Sequence, residues 1–290
     1  MTGRTIIQRI LTAGALLAGA LLAYAVLGEP FRMTVKEVTI PSPRLARFFD
    51  GAVAVHISDL HTTGIGLREK RLLAALEEID PDYVFITGDY VRDEAPRRGA
   101  LELLGRIPSK AGLLGVLGNV DYDGSRESCR MCHFPDADGP AGPLRDGDPI
   151  RMLRNDGLIL ERGGRHLQVI GADEIDERNG GPDPRVLLRE ADPGTPLLVL
   201  SHTTYLVDES ASAGADLYLA GDTHGGQVAA PTAVMRRVMP DKYWDYRAGR
   251  YRAGPLWIHV SHGIGWSLFP IRFGYPPEIT VFRFTGEERE

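Results

Sequence analysis

Three short β-branched runs in the first half of the chain end in polar residues at a fixed interval. Ser58-Asp59-Leu60-His61 follows the run at 52–57, Gly88-Asp89 follows 83–87, and Gly118-Asn119-Val120-Asp121 follows 113–117. Asp59, Asp89 and Asn119 are spaced 30 residues apart each time, about the length of one βα unit. Between the first two runs, Leu72, Leu73, Leu76 and Ile79 share one helical face, and 101–104 reads as a second helix. The order βαβαβ predicts parallel strands whose carboxyl-terminal turns lie side by side, the place where α/β sheets bind ligands.

Further strands are expected at 158–160, 167–170, 197–200, 217–220, 257–260 and 279–284, a count that suggests two sheets. Two of their ends carry more polar residues of the same kind: His202, then Asp222 with His224. Asp59 and His61 are two apart, as are Asp222 and His224, so in extended chain each pair faces one way. Converging Asp, Asn and His side chains without thiolates suit Mn²⁺, Mg²⁺, Fe²⁺ or Zn²⁺. Asp59, His61, Asp89, Asn119, His202, Asp222 and His224 are too many for one ion and fit two.

Residues 10–28 form an uncharged run, mostly Leu and Ala, which as a helix reaches about the thickness of a bilayer core. It reads as a retained single-pass anchor. A cleaved signal, with Arg4 and Arg9 as the basic region and Ala23-Tyr24-Ala25 as the cleavage site, and a buried helix of a soluble protein are the other readings. Arg4 and Arg9 on one flank are balanced by Arg32, Lys36, Arg44 and Arg47 on the other, so charge does not choose a side of the membrane. A net charge of −6 argues against a nucleic-acid polymer as partner, and two cysteines cannot form a disulfide framework.

The order of these motifs resembles the calcineurin-like metallophosphoesterases, whose pattern runs D-x-H, G-D, G-N-H-[DE], a lone His, then G-H-x-H. The similarity is stronger still to the membrane-anchored bacterial branch that includes UDP-2,3-diacylglucosamine diphosphatase-like proteins. It is carried by Leu200-Ser201-His202, by Gly221-Asp222-Thr223-His224-Gly225-Gly226-Gln227, and by the tail from Gly263-Ile264-Gly265 through Pro270-Ile271-Arg272-Phe273 to Pro276-Pro277-Glu278-Ile279. The resemblance implies a four-layer α/β/β/α sandwich over residues 51–286, preceded by the anchor or signal at 1–28 and a lead-in at 29–50; within it the stretch 121–148, rich in Gly, Pro and Asp and without periodicity, reads as a long loop. It implies a dinuclear phosphoesterase in which Asp59, His61 and His224 hold one metal, Asn119 and His202 the other, and Asp89 bridges them. The implied substrate is a phosphorylated lipid or nucleotide-lipid at the membrane, with UDP-2,3-diacylglucosamine in lipid A biosynthesis as one case.

Two positions depart from that pattern. Asp222 stands where the first His of G-H-x-H is expected, and a carboxylate there can still ligate hard ions. Val120 replaces the His read in the family as the acid that protonates the leaving group. Valine transfers no proton, so a pyrophosphate or activated diester is expected over a simple monoester. The alternative reading is a catalytically impaired, metal-binding pseudoenzyme that acts as a binding module.

His262 is expected near the site mouth, as a phosphate-binding or proton-donating residue. His56 reads as a core histidine and His166 as solvated. Trp266, Leu268 and Phe269 read as core, or else as an acyl-chain or bilayer contact. Cys129-Arg130-Met131-Cys132-His133 has the form of a c-type haem attachment site. Without a cytochrome pattern or second axial ligand, a local disulfide, an auxiliary metal contact or plain thiols are its other readings.

Overall fold

The computed structural model describes residues 3–92, 97–122, 129–131, 149–173, 183–231, 233–234, 237 and 245–286. Most of the long loop at 121–148, with Cys132 and His133, lies outside the described residues. Helix α1 (Gly3–Leu27) is exposed along nearly its whole length. An apolar stretch there of mean hydropathy 2.2 is only 6% buried and qualifies by length and composition as a membrane span. Among the described residues, almost none covers this apolar surface.

The remaining elements build two six-stranded sheets. The first has the order β1 (Thr34–Pro41), β12 (Glu278–Thr285), β2 (Ala54–Ile57), β3 (Tyr83–Thr87), β4 (Leu113–Val116), β5 (Arg151–Met152). The second runs β10 (Gly249–Ala253), β11 (Leu256–Val260), β9 (Leu217–Ala220), β8 (Leu197–Ser201), β7 (Arg165–Ala172), β6 (Asp156–Arg162). Strands β2, β3 and β4 are mutually parallel, as are β7, β8, β9 and β11.

Three clusters of buried side chains separate four layers. Phe85, Leu114 and Val116 of the first sheet meet Val169, Leu200, Leu219 and Trp257 of the second. On the first sheet's outer face Val55, Val84 and Ile86 pack with Leu72 and Leu76 of α3 (Leu67–Ile79) and Leu103 and Leu104 of α4 (Arg97–Leu104). On the second sheet's outer face Val199, Ala220 and Val260 pack with Leu188 of α5 (Pro184–Glu190) and Val207 of α6 (Val207–Ser212). This is the expected α/β/β/α arrangement. Both faces of each inner strand are buried, which is why those strands read as continuous apolar runs rather than alternating ones.

The structure builds part of the 29–50 lead-in into the sheet. Strand β1 pairs in parallel with β12 along eight residues, and α2 (Pro43–Phe48), capped by Ser42, buries Leu45 and Phe48. Strand β1 is half exposed, and its Lys36 and Glu37 hide the pattern that marks the central strands.

Candidate metal centre

The inner strands β2, β3 and β9 end in turns tight enough to put side-chain-bearing residues into left-handed backbone. Asp59 (φ 51°), His61 (39°), Asp89 (56°), Asp222 (66°) and His224 (49°) all have positive φ. Asp and His tolerate that conformation better than β-branched residues, and such strain persists only where surrounding structure over-determines it. Glycines supply the close approach. A Cβ at Gly118 would run into the Asp89 carboxylate, and one at Gly221 into the Ser58 hydroxyl and the Asp59 carboxylate.

The turns bring six of the seven expected side chains together. His61 Nε2 lies 3.2 Å from His224 Nε2 and 3.4 Å from Asp89 Oδ2, and His224 Nε2 is 3.4 Å from Asp59 Oδ1. On the other side, His202 Nε2 lies 3.4 Å from Asp89 Oδ1 and 3.7 Å from Asp222 Oδ1. Asp59, His61 and His224 can offer donor atoms within 4.8 Å of one another, and so can Asp59, Asp89 and His202. Asn119 opens a 3-10 turn at the end of β4 with its side chain exposed.

The charge balance fits divalent cations. Burial and the nearby Asp89 push the Asp59 carboxyl up to about 7. Burial opposes a charged His202, yet Asp89, Asp59 and Asp222 outweigh it and lift its pKa well above that of free imidazole. Burial works against Asp89 as well, but His202 and His61 hold that carboxyl below its ordinary value. Carboxylates crowded tightly enough to retain protons are relieved by positive ions. His202 Nε2 and Asp222 Oδ2 are buried without a hydrogen-bond partner, two donor atoms that a metal would satisfy.

A second layer fixes these side chains. His202 Nδ1 donates to the Thr87 carbonyl at 2.7 Å, which leaves Nε2 as the lone-pair nitrogen of the neutral ring. Asp121 accepts N–H bonds from Gly118 (2.9 Å), Asp89 (2.9 Å), Tyr90 (2.9 Å) and Val91 (3.4 Å), tying the β3 and β4 turns together. Burial and Asp89 raise its carboxyl to about 7. The Val120 N–H donates to Asp89 Oδ1 at 3.2 Å, so this residue contributes through its backbone. Fully buried Arg272 donates to the carbonyls of His262, Gly263, Gly265 and Tyr275 and reaches His224 Nδ1 at 3.2 Å.

His262 follows β11, with Nδ1 3.2 Å from Glu278 Oε2 and Nε2 3.4 Å from Lys36 Nζ. Lys36 Nζ is 2.6 Å from the same Glu278 oxygen. Burial lowers the His262 pKa to about 4 against the pull of Glu278, with Lys36, Arg272 and His259 acting in the same direction as burial. His56 is buried, 2.8 Å from Thr87 Oγ1 and 3.2 Å from His259, and His166 is exposed. Leu268 and Phe269 are 83% and 66% exposed, so neither belongs to the core. Cys129 is buried and disulfide-bonded, a state in which its sulfur is not joined to a haem.

Reading the sequence for donors at strand ends missed the supports behind them. Asp121 stands as the last residue of its motif, and Arg272 as the one basic residue in the mainly apolar tail 263–279. The N–H groups and carbonyls they collect belong to the backbone, which no residue pattern displays.

Comparison with known proteins identifies the family. A Bacillus subtilis protein, the uncharacterized metallophosphoesterase YkuE, is 28% identical over 94% of this chain and 92% of its own length. A zebrafish (Danio rerio) transmembrane protein with metallophosphoesterase domain is 27% identical over 85% of this chain and 56% of that protein. The Chlamydia trachomatis UDP-2,3-diacylglucosamine pyrophosphatase LpxG is 22% identical over 88% of this chain and 90% of that protein. The pattern of the calcineurin-like phosphoesterases matches residues 53–226, a span from the first inner strand to the turn of His224. The chain therefore belongs to the calcineurin-like phosphoesterase family and is a metal-dependent phosphoester hydrolase.

Proposed function

We propose that the chain holds two divalent ions and cleaves a pyrophosphate or activated phosphodiester of a membrane lipid precursor. Asp59, His61 and His224 would hold one ion, Asn119, His202 and Asp222 the other, and Asp89 both. The observation that carries this reading is the position of Asp89, which offers Oδ2 to the His61 side and Oδ1 to the His202 side, each at 3.4 Å. Mn²⁺ suits the all-oxygen-and-imidazole donor set, with Mg²⁺, Fe²⁺ and Zn²⁺ as the other fitting ions.

Two such ions, when bound, neutralise phosphoryl oxygens and lower the pKa of water. The chain's own residues do the rest. The buried carboxylates and imidazoles fix the centre before substrate arrives, which avoids reorganisation during the reaction. Exposed Asn119 is available to the substrate side, where its amide would orient a phosphoryl oxygen. His262, backed by Glu278 and Lys36 and neutral near pH 7 with its pKa lowered to about 4 by burial, would bind phosphate through an N–H, and would give a proton only where bound phosphate charge raises that pKa. Val120 gives none, which favours leaving groups that depart as stable anions.

The lipid reading is supported by the exposed apolar α1 and by the names of two relatives, one transmembrane and one acting on UDP-2,3-diacylglucosamine. We take residues 1–28 as the anchor and 51–286 as the catalytic domain, with part of 29–50 serving as its edge strand. The binding-module alternative gains no observation in its favour. The test is a Mn²⁺ assay on para-nitrophenyl monoester, para-nitrophenyl diester and UDP-2,3-diacylglucosamine, with and without chelator. The expected order is pyrophosphate and diester above monoester, all abolished by chelation. Chelator-resistant rates would overturn the metal assignment, and a monoester preference would overturn the substrate class.

A further inference from the structure

A cavity of about 390 Å³ opens beside the metal centre and shares His61 with it. Its other walls include Phe31, Leu67, Arg68, Arg92 and Trp266. The Arg68 and Arg92 guanidinium carbons lie 4.4 and 5.4 Å from the Trp266 ring, and Phe31 meets that ring edge-on with centroids 6.0 Å apart. Two donors at this cavity lack an acceptor: Arg68 Nη1 and Trp266 Nε1 are both buried without a hydrogen-bond partner. The Arg68 side chain is only 5% exposed and already bonds Glu69 and the carbonyls of Leu60 and His61. Buried N–H groups are left unsatisfied rarely, and a site that a ligand completes is one reason for it. The open Arg68 donor belongs to a guanidinium and Trp266 adds a second N–H, a pair that favours charged oxygen acceptors and so an anion.

The cavity also lies at the end of α1. Phe31 belongs to the turn Glu29–Phe31 that follows this helix, the Arg272 N–H bonds the Ala25 carbonyl at 3.0 Å, and Phe273 meets Tyr24 edge-on. The loop from Trp266 to Phe273 is therefore held at the level where α1 ends. On that loop Leu268 and Phe269 are 83% and 66% exposed, and Leu67 on the cavity wall is 55% exposed. Large apolar side chains beside the end of a membrane helix belong in the headgroup boundary.

We propose that this cavity binds the anionic headgroup of a lipid whose acyl chains stay in the bilayer, with Leu268 and Phe269 inserted beside it. The inference rests on the membrane reading of α1 given above and adds the surface that meets the lipid. Arg68 Nη1 and Trp266 Nε1 receive headgroup oxygens, and the phosphoryl group next along the lipid reaches the centre past His61. A substrate held this way is cut without leaving the membrane.

The test uses the full-length chain with Mn²⁺ in phosphatidylcholine vesicles, hydrolysing soluble bis(para-nitrophenyl) phosphate. Adding phosphatidylglycerol to the vesicles should raise KM for the soluble ester at least threefold with kcat unchanged. The same bulk concentration of glycerol 3-phosphate should not, and Trp266→Phe, which keeps the ring and removes the donor, should cancel the lipid effect. Nitroxide labels on Leu268→Cys and Phe269→Cys should be shielded from a water-soluble nickel chelate, while a label on Val186→Cys of α5 stays accessible. Equal chelate access at 268 and 186, or inhibition by glycerol 3-phosphate as strong as by the lipid, would overturn the proposal. Absence of ester hydrolysis would instead count against the proposed function, and the nitroxide depths would still decide this inference.

Discussion

On one side of Asp89 the donors are Asp59, His61 and His224, each at most 5% exposed and each matching the family pattern. On the other side His202 is fully buried, Asp222 keeps 13% of its side chain exposed, and Asn119 is exposed. Both departures from the pattern, Asp222 and Val120, fall on this second side. The two sides are supported differently: Arg272 holds His224 of the first, while Asp121 and the Thr87 carbonyl hold the turns and the His202 ring of the second. The difference separates two tasks. In the proposed centre the closed side would keep its ion whatever the substrate, and the open side would exchange ligands with substrate and solvent, so that its residues follow the chemistry of the leaving group.

The largest expected effect comes from the residue that belongs to both sides. Asp89→Ala removes the carboxylate facing His61 and His202 together, so activity should fall by roughly 10³-fold or more, and metal analysis should find at least one ion lost. If Asp89→Ala retained both ions and most of the rate, the two sides would be independent sites and the comparison would collapse.

Next is Asp121, which holds the open side's frame and is not among the proposed metal ligands. Asp121→Ala would leave four N–H groups without their acceptor, and at about 1–3 kcal/mol for each buried unsatisfied group the loss should reach at least ~3 kcal/mol. Denaturant unfolding in detergent measures it. A loss under ~1 kcal/mol would mean that water replaces the carboxylate and that the open side is not rigidly framed.

How far the sequence could be read follows the same division. The inner strands and their Asp and His residues were legible because strands buried on both faces are uninterrupted apolar runs, and because the turns after β2, β3 and β4 recur at one interval. Strand β1 was not, since its exposed face carries Lys36 and Glu37 and its pairing with β12 spans more than 240 residues of chain. Strand β5 has two residues, too short for any periodicity to register. Within the site, ligand types were visible and orientation was not. That Asn119 faces solvent from a 3-10 turn while Asp222 is mostly enclosed in left-handed backbone depends on turn geometry that one-dimensional spacing does not encode.

Asp222 sharpens the comparison on the metal side. Asp222→Ala should weaken the second ion by about tenfold or more while sparing the first, because Asp222 Oδ1 lies near His202 and none of the contacts described here joins it to His61. Asp222→His should restore binding with a shift from Mn²⁺ and Mg²⁺ towards Zn²⁺, as imidazole replaces a hard oxygen donor. Competition between the two ions, read by metal analysis at equilibrium, checks both. Equal loss of both ions in Asp222→Ala would show that the sides share more than Asp89.

The smallest effect is expected at Val120, and it tests what the open side is open for. General-acid catalysis is worth about 10²- to 10⁴-fold and matters most when the departing oxygen is basic. Val120 offers only its N–H, given to Asp89, so hydrolysis should slow steeply as leaving-group pKa rises. Val120→His should then speed alkyl esters several-fold and leave nitrophenyl esters or pyrophosphates nearly unchanged. The gain should stay below the full range because Asp121, which would orient a new imidazole, is already committed to four N–H groups. His262 provides the internal control. If the unmodified protein shows a flat dependence on leaving-group pKa and His262→Gln makes it steep, the proton comes from His262 with Glu278 and Lys36 behind it. The open side would then be complete without a histidine at 120, and the preference for acidic leaving groups would lose its basis.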